Sequence, residues 1–350
     1  MKPDLTVPKY LALGYLGVVI VVLTTVSVFL GLGWTVDRTH ATQNGFRGTG
    51  MDQVKRPAAE RALKAANVVP ESADPASPEG DKASAIYENV QVLKDLSAEQ
   101  FGRVMASITE WVAPDEGCTY CHNVENMADD SLYTKKVARR MLEMTRHINS
   151  DWRDHVASTG VTCYTCHKGN PVPANIWFAD PGPQKDNGLM ATNDGMGHPN
   201  KINASTSLPL DPLSPLLLGK EPIRVAGTTG LPAKPYGASI QATERTYSLM
   251  MHMSNSLGVN CTFCHNSRSF SDWSDSTPQR VTAWHGIQMA RELNGNFLDP
   301  LQAVYPPNRL GPLGDAPKLS CATCHQGASK PLLGVSMAKD YPELGGVAAP

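Results

Sequence analysis

The sequence predicts a mainly α-helical protein with long irregular loops and one N-terminal transmembrane helix. Three observations support this prediction. The 350-residue chain carries an uncharged, mostly apolar run at residues 10–36. All eight cysteines occur in four copies of the pattern Cys-x-x-Cys-His, and a segment with helical periodicity precedes each copy. Segments rich in proline and glycine, which cannot hold long helices, separate these helical segments.

The run at residues 10–36 predicts an uncleaved membrane anchor. At about 1.5 Å per residue it reaches about 40 Å, enough to cross a hydrocarbon core of about 30 Å. Lys2 and Lys9 precede the run and Asp37 and Arg38 follow it, a weak positive-inside bias that places the N-terminus in the cytoplasm. A cleaved signal peptide is the alternative, but no clear Ala-x-Ala site follows the apolar core.

The four cysteine motifs predict four covalently bound haem c groups. Cys-x-x-Cys-His is the attachment signature of c-type haem, in which two thiols form thioethers and the histidine binds the iron. The predicted attachment residues are Cys118, Cys121, Cys163, Cys166, Cys261, Cys264, Cys321 and Cys324. The predicted proximal iron ligands are His122, His167, His265 and His325.

Two other interpretations of these motifs are a zinc site and a redox-active dithiol. Paired cysteines can bind zinc, but a zinc site does not explain the histidine that follows every pair. A thioredoxin-like dithiol needs one motif placed after a strand, and this chain has four motifs. Because haem c is attached outside the energy-transducing membrane in bacteria, the motifs predict a single-pass inner-membrane protein with a periplasmic haem body.

The spacing of the motifs predicts two pseudo-symmetric dihaem halves. The motifs begin at residues 118, 163, 261 and 321, so the longest interval lies between the second and the third. The predicted segments are an anchor (1–38), an extended linker (39–85), a first dihaem half (86–170), a Pro/Gly-rich connection (171–237), a second dihaem half (238–330) and a C-terminal tail (331–350). The formal net charge of −2 argues against nucleic acid as a partner.

The helices that precede the motifs carry candidates for the sixth iron ligand. Met105 lies on the apolar face of a helix that begins with a predicted capping box of Ser97 and Gln100. Its alternative role is ordinary core packing. Met141 and His155 share the apolar face of the second helix, and fourteen residues place them about 21 Å apart on an unbroken helix, too far to bind one iron.

The third and fourth haems have several candidate ligands. Met250 lies on the apolar face of the third helix, which Gly258 is expected to end, and its competitors are Met251, His252 and Met253. The fourth helix is predicted to begin at Thr277-Pro278, and it carries His285 and Met289. The chain has ten histidines, four of them proximal, so most irons need methionine, which predicts mainly high reduction potentials.

Four stretches resemble one known family. They are "MLEMTRHINSDWRDHVASTGVTCYTCHKG", "GVNCTFCH", "STPQR" and "CATCHQG", and with the paired motifs they resemble the tetrahaem cytochrome subunit of the photosynthetic reaction centre of purple bacteria over about residues 86–330. The resemblance implies Met105, Met141 and Met250 as sixth ligands of the first three haems. It implies His155, from the first half, as the sixth ligand of the fourth. Unlike many members, this chain has no spare cysteine for N-terminal lipidation.

The resemblance also implies a function, that of an electron carrier rather than an enzyme. Such a subunit passes electrons from a soluble cytochrome c or high-potential iron–sulfur protein to the photo-oxidised bacteriochlorophyll special pair. Its partners are core subunits of the L, M and H types, and the core antenna is a further candidate. The third haem is expected nearest the special pair and the first farthest. The rival hypotheses are a membrane-anchored tetrahaem quinol dehydrogenase and a multihaem reductase.

Overall fold

The computed structural model describes residues 8–33, 39–180, 202, 208–225 and 239–345. The described residues are mostly helical, as predicted, and their strands form a two-stranded sheet. The chain divides into two compact units, which are described separately: Met1–Ala41 with Val54–Arg61, and Thr42–Gln53 with Ala62–Pro350.

Helix α1, Lys9–Gly33, corresponds to the predicted anchor. Its segment Leu11–Gly31 has a mean hydropathy of 2.4 and is long and apolar enough to cross a membrane. The hydroxyl of Thr25 donates to the carbonyl of Val21 at 2.7 Å, which satisfies a polar group inside the apolar helix. Of the flanking charges, Lys2, Asp37 and Arg38 lie outside the described residues.

The segment predicted as an extended linker contains regular elements. Strands β1 (His40–Asn44) and β2 (Met51–Lys55) pair with each other, and helices α2 (Pro57–Ala65) and α3 (Ala83–Ile86) follow. No strong periodicity marks these short elements in the sequence. Contacts with distant residues therefore decide their conformation.

Three helices carry the candidate ligands of the first half. Helix α4 spans Ala98–Val112, and the predicted capping box is present: the backbone N–H of Gln100 donates to the Ser97 hydroxyl at 3.1 Å. Helix α5 spans Tyr133–Asp151. The backbone leaves helical geometry at Trp152, and a separate single turn, α6, spans Arg153–Val156. The second helix is therefore broken, and His155 does not continue the face of Met141.

The second half contains the long helices α8 and α9. Helix α8, Ile240–Leu257, ends as predicted at Gly258, whose φ of +64° is the left-handed conformation that glycine adopts freely. Helix α9, Gln279–Glu292, begins one residue later than predicted, with Pro278 as its cap. The short helices α7 (Cys163–His167) and α10 (Cys321–His325) contain the second and fourth motifs.

Two apolar clusters form the core. One joins helices α5, α8 and α9 with Leu213, Leu216 and Leu217 of the predicted connecting segment. The other joins helix α4 with residues near the C-terminus, including Tyr341 and Leu344. The predicted tail thus buries several of its side chains in this core, although others, such as Leu333 and Val335, are exposed.

The buried end of the chain is fixed by an ion pair. The Arg103 guanidinium lies 3.2 Å from a Glu343 carboxylate oxygen, and both side chains are almost fully buried. The same guanidinium lies over the Tyr341 ring, and the Tyr341 hydroxyl accepts a hydrogen bond from Ser107 at 3.0 Å. A buried pair of this kind costs much free energy to break on one side, so it holds residues 338–345 against helix α4.

Candidate haem sites

All four predicted proximal histidines are oriented in the same way. In each case a backbone carbonyl oxygen lies within 2.9 Å of Nδ1; the pairs are His122 with Met127, His167 with Asn170, His265 with Phe270, and His325 with Ala328. A carbonyl only accepts, so Nδ1 must carry the proton. The lone pair of Nε2 is then free to bind iron, an arrangement typical of metal-binding histidines.

The first and third motifs share one local structure. Both lie in 3₁₀ turns, Gly117–Tyr120 and Cys261–Phe263. In both, a threonine hydroxyl from the start of the next helix region binds the carbonyl of the residue before the second cysteine. Thr134 donates to Tyr120 at 2.5 Å, and Thr277 donates to Phe263 at 2.6 Å. We call these two the outer motifs.

The second and fourth motifs share another local structure. They form the short helices α7 and α10, each opened by a capping box in which a hydroxyl accepts from the backbone: Thr165 from Thr162 and Thr323 from Ser320. Each helix ends at a left-handed residue, Lys168 at φ +48° and Gln326 at φ +47°. We call these two the inner motifs.

The cysteines and histidines of three of the four motifs line one cavity of about 1400 Å³, which Phe263 of the third motif also touches. Its volume exceeds the roughly 300–1,000 Å³ of an ordinary single-ligand site. The lining includes Cys118, Cys121, His122, Cys163, Cys166, His167, Cys321, Cys324 and His325. A large, mainly apolar space that brings thiol pairs and ligating imidazoles together fits several haem groups.

Met105 and Met141 line the same cavity, as the sequence predicts for the first and second haems. The Thr109 hydroxyl links Met105 to the first motif: it donates to the Met105 carbonyl at 2.9 Å and lies 3.9 Å from the sulfur of Cys118. The hydroxyl of Thr145 donates in the same way to the Met141 carbonyl at 2.8 Å. Met105 and Met141 are therefore both followed, one helical turn later, by a threonine that is hydrogen-bonded to their backbone carbonyl.

His155 faces the proximal histidine of the fourth motif. The ring centres of His155 and His325 are 6.0 Å apart. Histidine nitrogens bind a transition metal at about 2.0 Å, so two imidazoles on opposite sides of one iron have ring centres about 6 Å apart. The carbonyl of Thr282 lies 2.9 Å from His155 Nδ1 and accepts a hydrogen bond from it. Nε2 is therefore left as the ligand atom. This geometry favours His155 as the sixth ligand of the fourth haem.

The charge state of both imidazoles suits iron binding. Burial lowers the pKa of His155, and burial lowers the pKa of His325 to about 4. Both rings are therefore neutral near neutral pH, and only the neutral ring offers a lone pair to a metal.

The two rivals of His155 lie in different environments. Met289 also lines the cavity. His285 does not: its Nδ1 lies 3.9 Å from the Asp154 carboxylate, and its ring packs edge-on against Trp284. His285 therefore lies outside the cavity, whereas Met289 lies on its wall.

The third site is not brought together to the same extent. Cys261, Cys264, His265 and Met250 are not among the lining residues of the large cavity. Met250 is half-buried against the apolar cluster of α5, α8 and α9. Its competitor His252 is buried beside the Ile202 carbonyl, and burial lowers the pKa of His252 to about 4, as for a packing residue. Met250 as the sixth ligand of the third haem stays a prediction.

Cys166 and Cys324, one from each inner motif, are joined in a disulfide with Cα atoms 4.6 Å apart. The sequence predicts a haem thioether at both residues, and a sulfur atom cannot make both bonds. Attachment of haem at the inner motifs therefore requires both thiols to be free. The contact itself brings the two inner motifs side by side.

The described residues contain no group of three or more His, Cys, Asp or Glu side chains arranged to bind a metal ion directly. Haem iron differs because the porphyrin supplies four ligands and the protein only two.

Several supporting residues were not predicted from the sequence. A Cβ on Gly286 would lie 2.4 Å from His155 Cε1, so only glycine leaves room for that imidazole. An isolated glycine inside a helical pattern is a recognisable signal. The repeated spacing of Met105 with Thr109 and of Met141 with Thr145 is another signal in the sequence. The carbonyls that orient the histidines leave no signal in the sequence, because every residue has a backbone carbonyl.

Comparison with known proteins identifies the family of the chain. Residues 36–345 match the family model of the photosynthetic reaction centre cytochrome C subunit. The chain is 51% identical over 304 residues to the photosynthetic reaction center cytochrome c subunit of Rubrivivax gelatinosus, covering 87% of this chain and 83% of that protein. It is 51% identical over 326 residues to the same subunit of Thermochromatium tepidum, covering 92% and 79%.

A more distant relative is cytochrome c-554 of Chloroflexus aurantiacus, which is 27% identical over 305 residues and covered to 71% in each chain. The family model spans most of the sequence, including all four cysteine motifs. The chain therefore belongs to the family of photosynthetic reaction centre cytochrome c subunits.

Proposed function

We propose that this protein is the electron-transfer subunit of a photosynthetic reaction centre. It passes electrons from a soluble periplasmic carrier through four haem c groups to the photo-oxidised bacteriochlorophyll special pair. One observation carries the proposal: the residues predicted for three haem sites line one continuous cavity. A bound haem supplies reversible one-electron chemistry, and the chain holds it, orients it and sets its potential.

The chain has a defined task at each iron. The cysteines tether the haems, and His122, His167, His265 and His325 supply the proximal nitrogens. Met105, Met141 and Met250 are the proposed sixth ligands of the first three haems, and thioether ligation raises the reduction potential. His155 is the proposed sixth ligand of the fourth haem, with the facing ring of His325 as its main support. The fourth haem then has the lowest potential of the four.

One contact supports a linear order of the haems. The contact of Cys166 with Cys324 supports the second and fourth haems as the middle pair, so that the first and third haems lie at the two ends. The family resemblance implies that the third haem lies nearest the special pair and the first farthest from it.

The proposed partners lie at the two ends of this order. Exposed apolar side chains flank the third motif, namely Phe270, Trp273 and Val281, and they suit docking on core subunits of the L, M and H types. Val124 and Met127 are exposed beside the first motif, where a soluble cytochrome c or high-potential iron–sulfur protein would donate.

The anchor completes the proposed assembly. Helix α1 exposes apolar side chains along most of its length, which suits a single span of the inner photosynthetic membrane and contact with core antenna helices. The haem body then lies on the periplasmic side. The respiratory quinol dehydrogenase and the multihaem reductase are not favoured, because relatives that are 45% to 51% identical to this chain are named reaction-centre subunits.

Flash spectroscopy on membranes of the source organism tests the proposal. A short flash should bleach the special pair, and a c-type haem should become oxidised as the special pair recovers. Deletion of this protein should abolish that fast recovery, and re-expression of the intact chain should restore it. If light leaves these haems reduced in membranes that contain the protein, the proposed partner is wrong.

A further inference from the structure

The hydroxyl of Thr262 lies inside the third motif, and it both accepts and donates a hydrogen bond. Thr262 is 0% exposed. Its oxygen accepts a hydrogen bond from the backbone N–H of Met51 at 2.7 Å and donates to the carbonyl of Asn44 at 2.7 Å. Both partners belong to the hairpin of β1 and β2, more than 200 residues away in sequence. A side chain between two predicted haem-binding cysteines thus bonds to the backbone of both strands of the hairpin.

The residues around Thr262 extend the same contact. The amide of Asn260 donates to the Met51 carbonyl at 2.8 Å, and the hydroxyl of Ser267 donates to the Thr49 carbonyl at 2.7 Å. Gly45 has φ +95°, and a Cβ there would lie 2.5 Å from the Thr262 carbonyl oxygen. The hairpin loop at residues 44–51 therefore fits closely over the third motif on both sides of Cys261.

Among the described residues, the first motif has no equivalent contact. Its corresponding residue, Thr119, is exposed, and its hydroxyl donates to the nearby carbonyl of Glu116 at 2.6 Å. The two outer motifs share their turn geometry and their histidine contacts, so the hairpin is an added feature of the third. A long-range contact present at only one of two similar sites indicates a requirement specific to that site.

We infer that residues 44–51 and Thr262 form a clamp that positions the third haem for electron transfer to the acceptor. Thr262 is a positioning residue, because it acts through Cys261 and Cys264 rather than on the haem itself. Electron transfer between cofactors falls steeply with distance, and small displacements of reacting groups have large effects on rates. This part of the inference rests on the proposed function, whereas the clamp itself does not.

The variants that test the clamp differ by one hydroxyl. Thr262→Val keeps the shape of the side chain but removes both hydrogen bonds, and Thr262→Ser restores them. Thr119→Val is the matched control in the first motif. Gly45→Ala disturbs the same contact from the hairpin, which keeps the test open if Thr262→Val does not fold. All variants are studied in the intact, haem-loaded protein in its membrane complex.

The first readouts are hydrogen exchange at the Met51 amide and the electron paramagnetic resonance signal of the third haem. Loss of one buried hydrogen bond should speed exchange by about tenfold. We expect Thr262→Val and Gly45→Ala to do so and to alter that signal, while Thr262→Ser and Thr119→Val do not. Unchanged exchange in both clamp variants, or an equal effect of Thr119→Val, overturns the clamp.

The last readout is the rate of special-pair re-reduction after a flash, which we expect Thr262→Val to slow several-fold with Thr262→Ser close to the parent. Faster exchange with an unchanged resonance signal and flash rate would make the clamp purely structural and overturn the positioning role. If the parent protein itself shows no haem oxidation after a flash, the proposed function fails. The exchange and resonance results still decide the clamp in that case.

Discussion

The proximal histidines of the inner and outer motifs are oriented by backbone carbonyls at different positions. In the inner motifs the carbonyl that accepts from Nδ1 comes three residues after the histidine, directly after a short capped helix. In the outer motifs it comes five residues after, across a longer loop. The inner motifs touch each other through Cys166 and Cys324, whereas exposed apolar side chains flank the outer motifs.

This difference separates two requirements of an electron-transfer chain. The inner sites depend on contacts between distant parts of the chain, as with His155 and His325. The outer sites are built from local turns, to which the third adds the hydrogen bonds of Thr262 with residues 44–51, and exposed apolar side chains lie beside both. The predictions below test this contrast in order of expected effect.

The largest expected effect concerns the ion pair that holds the C-terminal segment near the second motif. Glu343→Ala leaves the Arg103 guanidinium buried and unpaired, so the free energy of unfolding should fall by about 3–5 kcal/mol. The segment contacts the inner motif directly, because the Thr162 hydroxyl donates to the Met337 sulfur at 3.7 Å. Chemical denaturation followed by circular dichroism measures the change.

Glu143→Ala is the control for this variant. Glu143 pairs with Arg140 on the exposed side of helix α5, and such pairs contribute about 0–1 kcal/mol. Equal destabilisation by the two variants would contradict the role of the buried pair.

The second prediction concerns the ligand of the fourth haem. His155→Met exchanges an imidazole for a thioether and should raise the potential of one haem by on the order of 100 mV. His285→Met should leave all potentials unchanged, because His285 lies outside the cavity. Potentiometric titration of the purified protein measures both. A shift in the Met289→Leu variant instead would assign the site to Met289.

A related prediction covers the methionines. Met105→Leu, Met141→Leu and Met250→Leu should each lower the potential of a single haem, by tens of millivolts or more. Three separate shifts are expected, one per variant, in the same titration. A variant with an unchanged titration would remove that methionine from the ligand set.

A smaller effect is expected from the residue behind His155. Gly286→Ala places a Cβ within 2.4 Å of the imidazole, so the ring must move and the fourth haem signal should broaden in electron paramagnetic resonance. Gly295→Ala is the control, because no atom lies within 4 Å of the added carbon. A normal fourth signal in Gly286→Ala would place His155 away from the iron.

The smallest effect is a pH dependence confined to an outer motif. The hydrogen bond from Arg139 lowers the pKa of Asp130, whose carboxylate also lies 3.2 Å from Lys135 Nζ beside the loop of the first motif. A lowered folded pKa means that this contribution is complete above the unfolded value of about 3.9 and is lost as the pH falls below it.

Hydrogen exchange measures that loss. The protection factor, which is the intrinsic exchange rate at each pH divided by the measured rate, should fall a few-fold in residues 123–130 on acidification below about pH 4, while protection in residues 163–170 changes less. In the Asp130→Asn variant this acid-dependent fall in protection should disappear. Equal acid sensitivity of the two motifs would contradict the contrast drawn between them.

The sequence predicts the elements whose signals are local. The capping box of Ser97 and Gln100 and the stop at Gly258 are both present. The break at Trp152 was not predictable, because no proline or glycine marks it and the surrounding periodicity continues. The hairpin at residues 40–55 and the burial of Tyr341 also depend on distant partners, so short-range patterns do not reveal them.

The candidate sites follow the same division. The cysteines and proximal histidines are defined by a five-residue pattern, which a sequence carries completely. The pairing of His155 with His325 joins residues 170 positions apart, and only the fold brings them to 6.0 Å. Met250 is the least supported ligand, because it lies in α8 but does not line the cavity that the other three candidate ligands share.

The most direct test of the account is a potentiometric titration of the purified, haem-loaded protein followed by electron paramagnetic resonance. The account predicts four one-electron transitions, three with the signature of methionine–histidine ligation and one, the lowest in potential, with bis-histidine ligation. Fewer than four haems, or more than one bis-histidine haem, would contradict the assignment of His155 and the three methionines.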